Sequence, residues 1–469
     1  MTGEFGKRLT SRIQDWQTAV WGGASGLLVV LVGLLANPVL TIAMPIGLML
    51  GLLLFWHPFL GVLSLAVFAH LDAVEKLLFG FLPLSYFKLT AAACAVVMIL
   101  RGSQLRAQIR TLLSEPVAIL GLVFLVLAFV SALFASNKAQ ALDALKTYIS
   151  LYLLMVLVIV FAATKTRIRL LLYMLAATSL ATSLLLFLDL YGGISIAKAE
   201  AATTARTAEG FDRSSGGSDY NPTTAASLLL TGVIFALVHA LESPRLRMAM
   251  LATVVLGTLA VILSFARSAV VGYGVIGLLL MWRYRHEKFL PPMIICALFG
   301  LVLASPFIPG EYWERLWSIF GGSGGDWTLG RRWSYNLIGL NLLGENPVLG
   351  VGPGNFPHHF TNPEYRYLPG RTLLGRELHN MFLSVAVQMG LASLSFFFML
   401  GYGLARLRAV LREPADAELR VLARALIYAF GAYLIVSLFL PNEFTKYTWL
   451  LTAQAAALFQ VNKSLKGRT

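Results

Sequence analysis

The sequence predicts an all-α, polytopic integral membrane protein with about 12–14 transmembrane helices. Of its 469 residues, 58% are hydrophobic and only 13% are charged, and the mean hydropathy is +0.74. A soluble domain carries about 25% charged residues. Apolar runs of about 15 to 25 residues, long enough to cross a bilayer as helices, recur along almost the whole chain. The alternating segments of about 10 residues that are typical of membrane barrels are not seen.

The apolar runs fall into three groups of helices, at 1–190, 223–306 and 379–469, separated by two long segments at 191–222 and 307–378. The first three runs are short and interrupted by Pro and Gly, which leaves the count at 12 to 14. The predicted spans are 24–37, 38–56, 58–72, 86–101, 115–135, 145–164, 168–190, 223–241, 246–264, 268–283, 288–306, 379–404, 421–441 and 445–461.

Clusters of basic residues occur in alternate segments between these spans. This is the pattern expected when those segments are cytoplasmic, because cytoplasmic segments are enriched in Lys and Arg. With the N-terminus inside, most of the 37 basic residues lie in the cytoplasm and both termini are cytoplasmic. The net charge of +14 is then explained by topology, so we expect a lipid bilayer and no nucleic acid as partner. The cytoplasmic groups are Lys7/Arg8/Arg12, Arg101/Arg106/Arg110, Lys165/Arg167/Arg169, Arg245/Arg247, Arg283/Arg285/Lys288, Arg406/Arg408/Arg412/Arg420/Arg424 and Lys463/Lys466/Arg468.

The two long segments lie on the outer side in this topology, and loops of that length usually carry function. The larger one, 307–378, is expected to contain short helices. Its predicted parts are an aromatic stretch at 311–320 (an interfacial helix or an ordinary aromatic belt), a flexible joint at 321–325, an amphipathic helix at 331–343 and a Gly/Pro turn cluster at 345–356.

Several cations stand near the outer ends of the spans. Lys88, Lys146 and Arg267 interrupt apolar stretches, where an ionisable group is costly unless it is paired or hydrated. The two lysines could instead extend their amines to the outer surface. Arg206 and Arg213 lie in the Gly-containing segment 191–222. Arginine binds phosphate well because its planar fork donates two parallel hydrogen bonds, so this set predicts an anionic ligand.

His379 is the candidate general base, because imidazole titrates near neutrality. It stands at the start of a predicted span, where the helix dipole favours the neutral imidazole. Glu377 could orient the ring, and Asn380 could hold a sugar hydroxyl. The alternative is that Asn380 caps the helix and His379 has no role. No metal-ligand spacing or phosphate-binding glycine motif is present, so we expect neither a metal nor another cofactor.

Four stretches between residues 212 and 391 resemble the O-antigen ligase and polymerase superfamily. They are "DRSSGGSDYNP" (212–222), "LSFARSAVVG" (263–272), "RRWSYNLIGLNLLGENPVLGVGPGNF" (331–356) and "LHNMFLSVAVQMGL" (378–391). The sequence departs from the family pattern at Asn221–Pro222 and at Gln388–Met389, where a Glu is common before Gly390.

The resemblance implies a GT-C-like enzyme of the bacterial inner membrane with its active site on the periplasmic side. Its donor would be a glycan polymer on undecaprenyl pyrophosphate. In the ligase branch, the acceptor is a hydroxyl of the lipid A core oligosaccharide. By motif match Arg213, Arg267 and His379 would be essential. The residues expected to bind the pyrophosphate and the glycan are Lys88, Lys146, Arg206, Arg331, Arg332 and Asn380.

Two other functions remain open on the sequence. The same motifs suit an O-antigen polymerase or a protein O-oligosaccharyltransferase, which differ from a ligase in the acceptor. A transporter or flippase for a lipid-linked anion is the alternative in which the protein is not an enzyme. It needs a polar pathway at mid-membrane, whereas the charges here gather at the outer ends of the spans.

Overall fold

A computed structural model of the chain describes residues 49, 51–80, 84–194, 214–218, 221–308, 310, 312–313, 327–369 and 375–467. The chain divides into two compact units, Met1–Gly61 and Val62–Thr469. The first unit is described only at residues 49 and 51–61, which are helical except at His57. The predicted span 24–37 and most of 38–56 lie outside the described residues. The site described below lies wholly in the second unit.

The described residues form helices joined by turns, with no β-strand among them. We number the α-helices in chain order. They are α1 Pro58–His70, α2 Asp72–Phe79, α3 Tyr86–Leu100, α4 Arg106–Ser114, α5 Pro116–Leu133, α6 Lys138–Phe161, α7 Lys165–Gly192, α8 Pro222–Glu242, α9 Arg247–Leu263, α10 Arg267–Arg283, α11 Leu290–Ala304, α12 Trp327–Glu345, α13 Phe356–Phe360, α14 Met381–Met389, α15 Ser393–Arg412, α16 Ala417–Val436 and α17 Lys446–Lys466.

Among the described residues, six helical stretches are long and apolar enough to cross a membrane. They are α5, α6, α7, α8, the consecutive pair α14–α15 and α16 with the turn that follows it. Shorter apolar helices occur at α1, α3, α9 and α11. Each span predicted from residue 58 onward coincides with at least one of the observed helices. The prediction of an all-α polytopic membrane protein is confirmed.

The structure differs from the predicted boundaries at three places. The span expected at 379–404 is two helices, because Gly390 has a φ of +56° and Leu391 N donates instead to Pro347 O at 2.9 Å. The span expected at 58–72 ends at His70, and a separate helix, α2, follows. The amphipathic helix expected at 331–343 is present and longer, as α12. Helix α4 has no counterpart among the predicted elements.

Helix α8 is the centre of the bundle and packs against α7, α9, α10 and α16. Within its membrane-length window, 83% of the residues are buried. Small side chains permit this packing. A Cβ added at Gly232 of α8 would lie 2.2 Å from the Leu175 carbonyl oxygen of α7, so only glycine allows the two helices to approach so closely.

One group of ion pairs lies at one end of the bundle. Lys165, at the start of α7, pairs with Asp416 at 2.6 Å and with Glu418 at 3.0 Å, both at the start of α16. Arg245, in the turn after α8, also pairs with Glu418 at 3.1 Å. Helix α9 leads from this end to Arg267. The arginine therefore stands at the opposite end, which is where the candidate site lies.

Candidate functional site

A cavity of about 490 Å³ opens where α10 and α14 begin, with α12 as its third wall. Its polar lining is Arg267, Ser268, Arg332, Asn336, His379 and Asn380. Its apolar lining is Val271, Trp333, Leu438 and Phe439. Among the described residues, this lining contains two guanidinium groups and no carboxylate, so the cavity suits an anion that has an apolar neighbour.

Arg267 is the first residue of α10, directly after the tight reversal from α9. In that reversal Phe265 has a φ of +55°, a strained conformation for a bulky residue. The Phe265 ring is buried and contacts the Tyr312 ring, with 5.8 Å between the ring centroids. A cation at a helix N-terminus opposes the helix dipole, so this position does not stabilise the helix. A guanidinium and the positive end of a helix dipole both favour phosphate oxygens.

Ser268 is a site residue that the sequence analysis missed. It is buried and lines the cavity, and its Oγ has no hydrogen-bond partner among the described residues. Buried hydroxyls are usually hydrogen-bonded, so such an atom is suited to a ligand oxygen. No pattern in the sequence marks it, because serines inside apolar helices commonly bond to their own backbone.

His379 precedes α14, and its ring is held from two sides. Its Nδ1 lies 2.8 Å from the backbone oxygen of Glu377. A carbonyl oxygen can only accept, so Nδ1 carries the hydrogen and Nε2 keeps a lone pair. The ring also stacks on Tyr335 of α12, with ring centroids 5.3 Å apart and 27° between the planes. Glu377 thus orients the imidazole through its backbone, where the sequence suggested its carboxylate.

The charge state of His379 suits a base. The pKa of its imidazole is lowered to about 4, chiefly by burial and also by the nearby guanidinium groups of Arg332, Arg376 and Arg331, against the hydrogen bond to Glu377. The ring is therefore neutral at pH 7, with Nε2 able to accept a proton. The sequence analysis expected this neutral form from the helix dipole, whereas burial is the larger cause.

Helix α12 brings the adjacent arginines of the large loop to the site. Arg332 lines the cavity beside Trp333, whose side chain is 62% exposed. Arg331 interacts with the hydroxyl of Tyr335, the residue that supports the His379 ring. Trp333 was not predicted as a site residue. Its exposure at the cavity mouth is visible only once α12 is placed.

Asn380 is the N-cap of α14. Its side-chain oxygen accepts hydrogen bonds from Phe382 N at 3.1 Å and Leu383 N at 3.2 Å, which satisfies two of the free N–H groups at the helix start. The predicted alternative, in which Asn380 caps the helix, therefore holds for its side-chain oxygen. The side-chain amide nitrogen of Asn380 takes no part in this capping.

A glycine turn at 350–354 closes the other end of α14. Gly352 N donates to Gln388 O, and Val351 N donates to Val387 O, each at 3.0 Å. These bonds satisfy carbonyl groups that the helix leaves without an internal partner. Gly350 has a φ of +68°, and a Cβ there would lie 2.3 Å from the backbone carbon of Gln388. The turn thus fixes α14, and His379 with it, largely by backbone contacts.

The two predicted lysines are not part of this cavity. Lys88 is exposed at the start of α3, and Lys146 is exposed and paired with Asp143 of its own helix at 2.9 Å. Neither lines the cavity. Arg206 and Arg213 lie outside the described residues. The segment after Arg213 is anchored, because Ser214 Oγ donates to Asp189 Oδ2 at 2.5 Å.

The histidines of the large loop serve other contacts. His359 Nε2 lies 3.3 Å from Ser136 Oγ, and burial lowers the pKa of its imidazole. His358 beside it is exposed. Across the described part of the chain, no group of three or more His, Cys, Asp or Glu residues is close enough to hold a metal ion.

Comparison with known proteins finds a matching family model. Residues 252–398, which include α10, α12, α14 and the glycine turn, match the family model described as "O-Antigen ligase". This match supports membership of the chain in the O-antigen ligase and polymerase family. No curated protein matches the chain. The matched range contains Arg267, Arg332, His379 and Asn380, the polar residues that the cavity brings together.

Proposed function

We propose that this chain, a member of the O-antigen ligase and polymerase family by its match over residues 252–398, is the ligase. In this proposal it transfers a glycan polymer from undecaprenyl pyrophosphate to a hydroxyl of the lipid A core oligosaccharide. The reaction takes place at the periplasmic face of the bacterial inner membrane. It needs no metal or other cofactor and inverts the anomeric centre.

The observation that carries the proposal is the composition of the cavity. Two guanidinium groups, Arg267 and Arg332, and a neutral imidazole, His379, line one space of about 490 Å³. Cations suit the pyrophosphate, and a neutral base suits an alcohol acceptor. The exposed Trp333 and Leu438 add apolar surface at the same opening, where a lipid-anchored donor would enter.

The proposed reaction is a single displacement. The acceptor hydroxyl gives its proton to His379 Nε2 while its oxygen attacks the anomeric carbon. The bond from that carbon to the phosphate oxygen breaks, and the pyrophosphate leaves with the bonding electrons. Arg267 and Arg332 stabilise the charge that develops on the phosphate oxygens. One attack from the face opposite the leaving group gives inversion.

Other predicted residues have supporting roles in this proposal. Arg213 and Arg206 add positive charge from the segment that ends at the anchored Ser214. Lys88 and Lys146, exposed and outside the cavity lining, act by long-range attraction of the anionic donor rather than by contact. Arg331 supports the His379 ring through Tyr335, and the amide nitrogen of Asn380 is placed for a sugar hydroxyl.

A reconstituted transfer assay tests the proposal. Purified protein is mixed with undecaprenyl-pyrophosphate-linked glycan and lipopolysaccharide that lacks O-antigen. Wild type and His358→Ala, a matched histidine that is exposed and outside the cavity, should both transfer glycan to the lipopolysaccharide. His379→Ala should lose at least about 100-fold of the rate, as expected for removal of a general base.

The other outcomes separate the alternatives. Equal transfer by wild type and His379→Ala would keep the ligase and reduce His379 to a structural residue. No transfer to lipopolysaccharide, with lengthening of the lipid-linked glycan instead, would identify a polymerase. Transfer to a protein acceptor would identify an O-oligosaccharyltransferase.

A further inference from the structure

Glu443 lies in the short turn Asn442–Phe444 between α16 and α17, and its side chain is completely buried. Its Oε1 accepts hydrogen bonds from the Ser384 hydroxyl and, at 3.2 Å, from the Gln388 side-chain amide. That amide also donates to Ser384 Oγ at 2.7 Å. Ser384 and Gln388 both lie on α14. Glu443 therefore connects this turn to the helix that begins directly after His379.

The same connection extends to two more elements. The side-chain oxygen of Gln388 accepts a hydrogen bond from Gly354 N in the glycine turn. The indole Nε1 of Trp449, on α17, donates to the backbone oxygen of Glu443 at 3.2 Å. One carboxyl group thus stands at the junction of α14, α17 and the glycine turn. Displacement of this carboxyl would loosen α14 at its centre.

The surroundings of this carboxyl disfavour a negative charge. Both of its side-chain partners, Ser384 and Gln388, are uncharged. Within the described part of the chain, the titratable groups that interact electrostatically with it are Glu377, Tyr148 and Tyr433, and none of these is a cation. Glu377 is a second, largely inaccessible carboxyl. A buried carboxylate without a cation is strongly unfavourable, so such a group retains its proton.

Unsatisfied atoms indicate where that proton resides. Glu443 Oε2, Glu377 Oε2 and the Tyr148 hydroxyl are buried, and none has a hydrogen-bond partner among the described residues. Oε1 of Glu443 already accepts two donors. Oε2 is therefore the oxygen that carries the hydrogen when the group is a neutral acid.

We propose that Glu443 is a positioning residue that works as an uncharged carboxylic acid and holds α14, with His379 and Asn380 at its start, against the glycine turn. The inference rests on the proposed function, because the geometry that Glu443 maintains is that of the transfer site. Ionisation would place an acceptor-only group beside Glu377 and weaken the junction.

The direction of the pH effect follows from the carboxyl groups. The pKa of Glu443 is raised to about 8, chiefly by burial and also by the nearby Glu377, against the hydrogen bonds that it accepts. Burial raises the pKa of Glu377 to about 7. In the unfolded chain both groups release their protons near the ordinary value of 4.5. The folded state therefore binds more protons between pH 4.5 and about 8, and stability falls as pH rises through this window.

The first test compares Glu443→Gln with Glu443→Ala in the transfer assay, using the full-length protein. Glutamine keeps the shape and is uncharged, so its kcat should stay within about threefold of wild type, whereas alanine should lose at least about tenfold through misplacement of His379. Glu413→Gln, an exposed carboxyl that pairs with Lys466 at 2.6 Å at the other end of the bundle, is the matched control and should not change kcat. Equal loss in the glutamine and alanine variants would overturn the proposal.

The second test uses pH. The kcat of wild type should fall as pH rises through about 8, and Glu443→Gln should keep a level kcat there, which a purely structural role would not produce. Thermal unfolding between pH 5 and 9 gives a readout without activity, and wild type should lose more stability than Glu443→Gln. Identical pH dependence of unfolding would overturn the proposal. Absence of glycan transfer by wild type would instead refute the proposed function, while the unfolding comparison would still decide the protonation of Glu443.

Discussion

At the scale of single residues, the planar guanidinium of Arg267 is the feature that a conservative change removes. We expect Arg267→Lys to keep the positive charge and lose the paired hydrogen bonds to phosphate oxygens. A hydrogen bond to a charged group contributes about 1.5–3 kcal/mol, so kcat/KM should fall about tenfold to 100-fold. The measurement is steady-state transfer, with Arg285→Lys, an exposed arginine of the turn after α10, as control. A lysine variant with full activity would remove Arg267 from phosphate binding.

His379 gives a prediction about acidic pH. An ordinary histidine would become protonated near pH 6.5, but the pKa of His379 is lowered to about 4, mainly by burial. Because kcat/KM reports the free enzyme, it should stay level from about pH 7 down to about pH 5 and fall only as pH approaches 4. A decline centred near pH 6.5 would show that the imidazole is solvated and would contradict the buried environment.

The sequence predicted some of these residues because their chemistry conflicts with their position. Arg267 and His379 are polar groups at the ends of apolar spans, and this conflict is visible without a structure. Glu443 lies in a turn of mixed polarity, "PNEFTK" (441–446), where a glutamate is expected to be solvated. Its burial depends on how α14 and α17 pack, and neither helix carries a local signal of that contact.

At the scale of elements, the glycine turn at 350–354 depends on backbone conformations that favour glycine. Gly350→Ala places a Cβ 2.3 Å from the backbone of Gln388 at a φ of +68°. The left-handed conformation alone costs an alanine about 1–2 kcal/mol, and the clash adds to it. We expect a lower unfolding temperature and a lower kcat, because α14 carries His379. Gly344→Ala is the control, since no atom lies within 4 Å of a Cβ there.

The control also has an expected direction. Gly344 lies inside α12, where alanine favours the helix over glycine by about 1 kcal/mol, so Gly344→Ala should leave activity unchanged and raise stability slightly. Equal effects of the two substitutions would show that the turn does not position α14. The turn itself was predicted from its glycines and prolines. Its contact with α14 was not, because φ signs and long-range partners cannot be read from composition.

At the scale of the whole molecule, the two ends of the second unit differ in chemistry. Lys165, Arg245 and Glu418 belong to one end, where basic and acidic side chains form ion pairs. Helix α14 and the consecutive α15 run from His379 to Arg412, and α9 runs from Arg247 to the reversal before Arg267. The cavity residues are therefore at the end opposite these three residues, where Lys446 pairs with Asp72 and Glu75 instead. This polarity was readable from the sequence, because it follows from the order of basic loops along the chain.

The positive-inside rule then sets the orientation of the whole protein. The end that contains Lys165, Arg245 and Glu418 carries most of the loop arginines and lysines. It should therefore face the cytoplasm, with the cavity in the periplasm. Helix α17 ends at Lys466, which pairs with Glu413 after α15, so the end of this helix lies at the end of the bundle that we expect to be cytoplasmic. A fluorescent protein fused after Thr469 should be fluorescent, and a cysteine at exposed His358 should react with a membrane-impermeant thiol reagent added to spheroplasts. Cys296, which is exposed on α11, is first replaced by alanine so that the label reports only the new site. Labelling of the cysteine only after the inner membrane is permeabilised would invert the orientation and place the cavity away from any periplasmic acceptor.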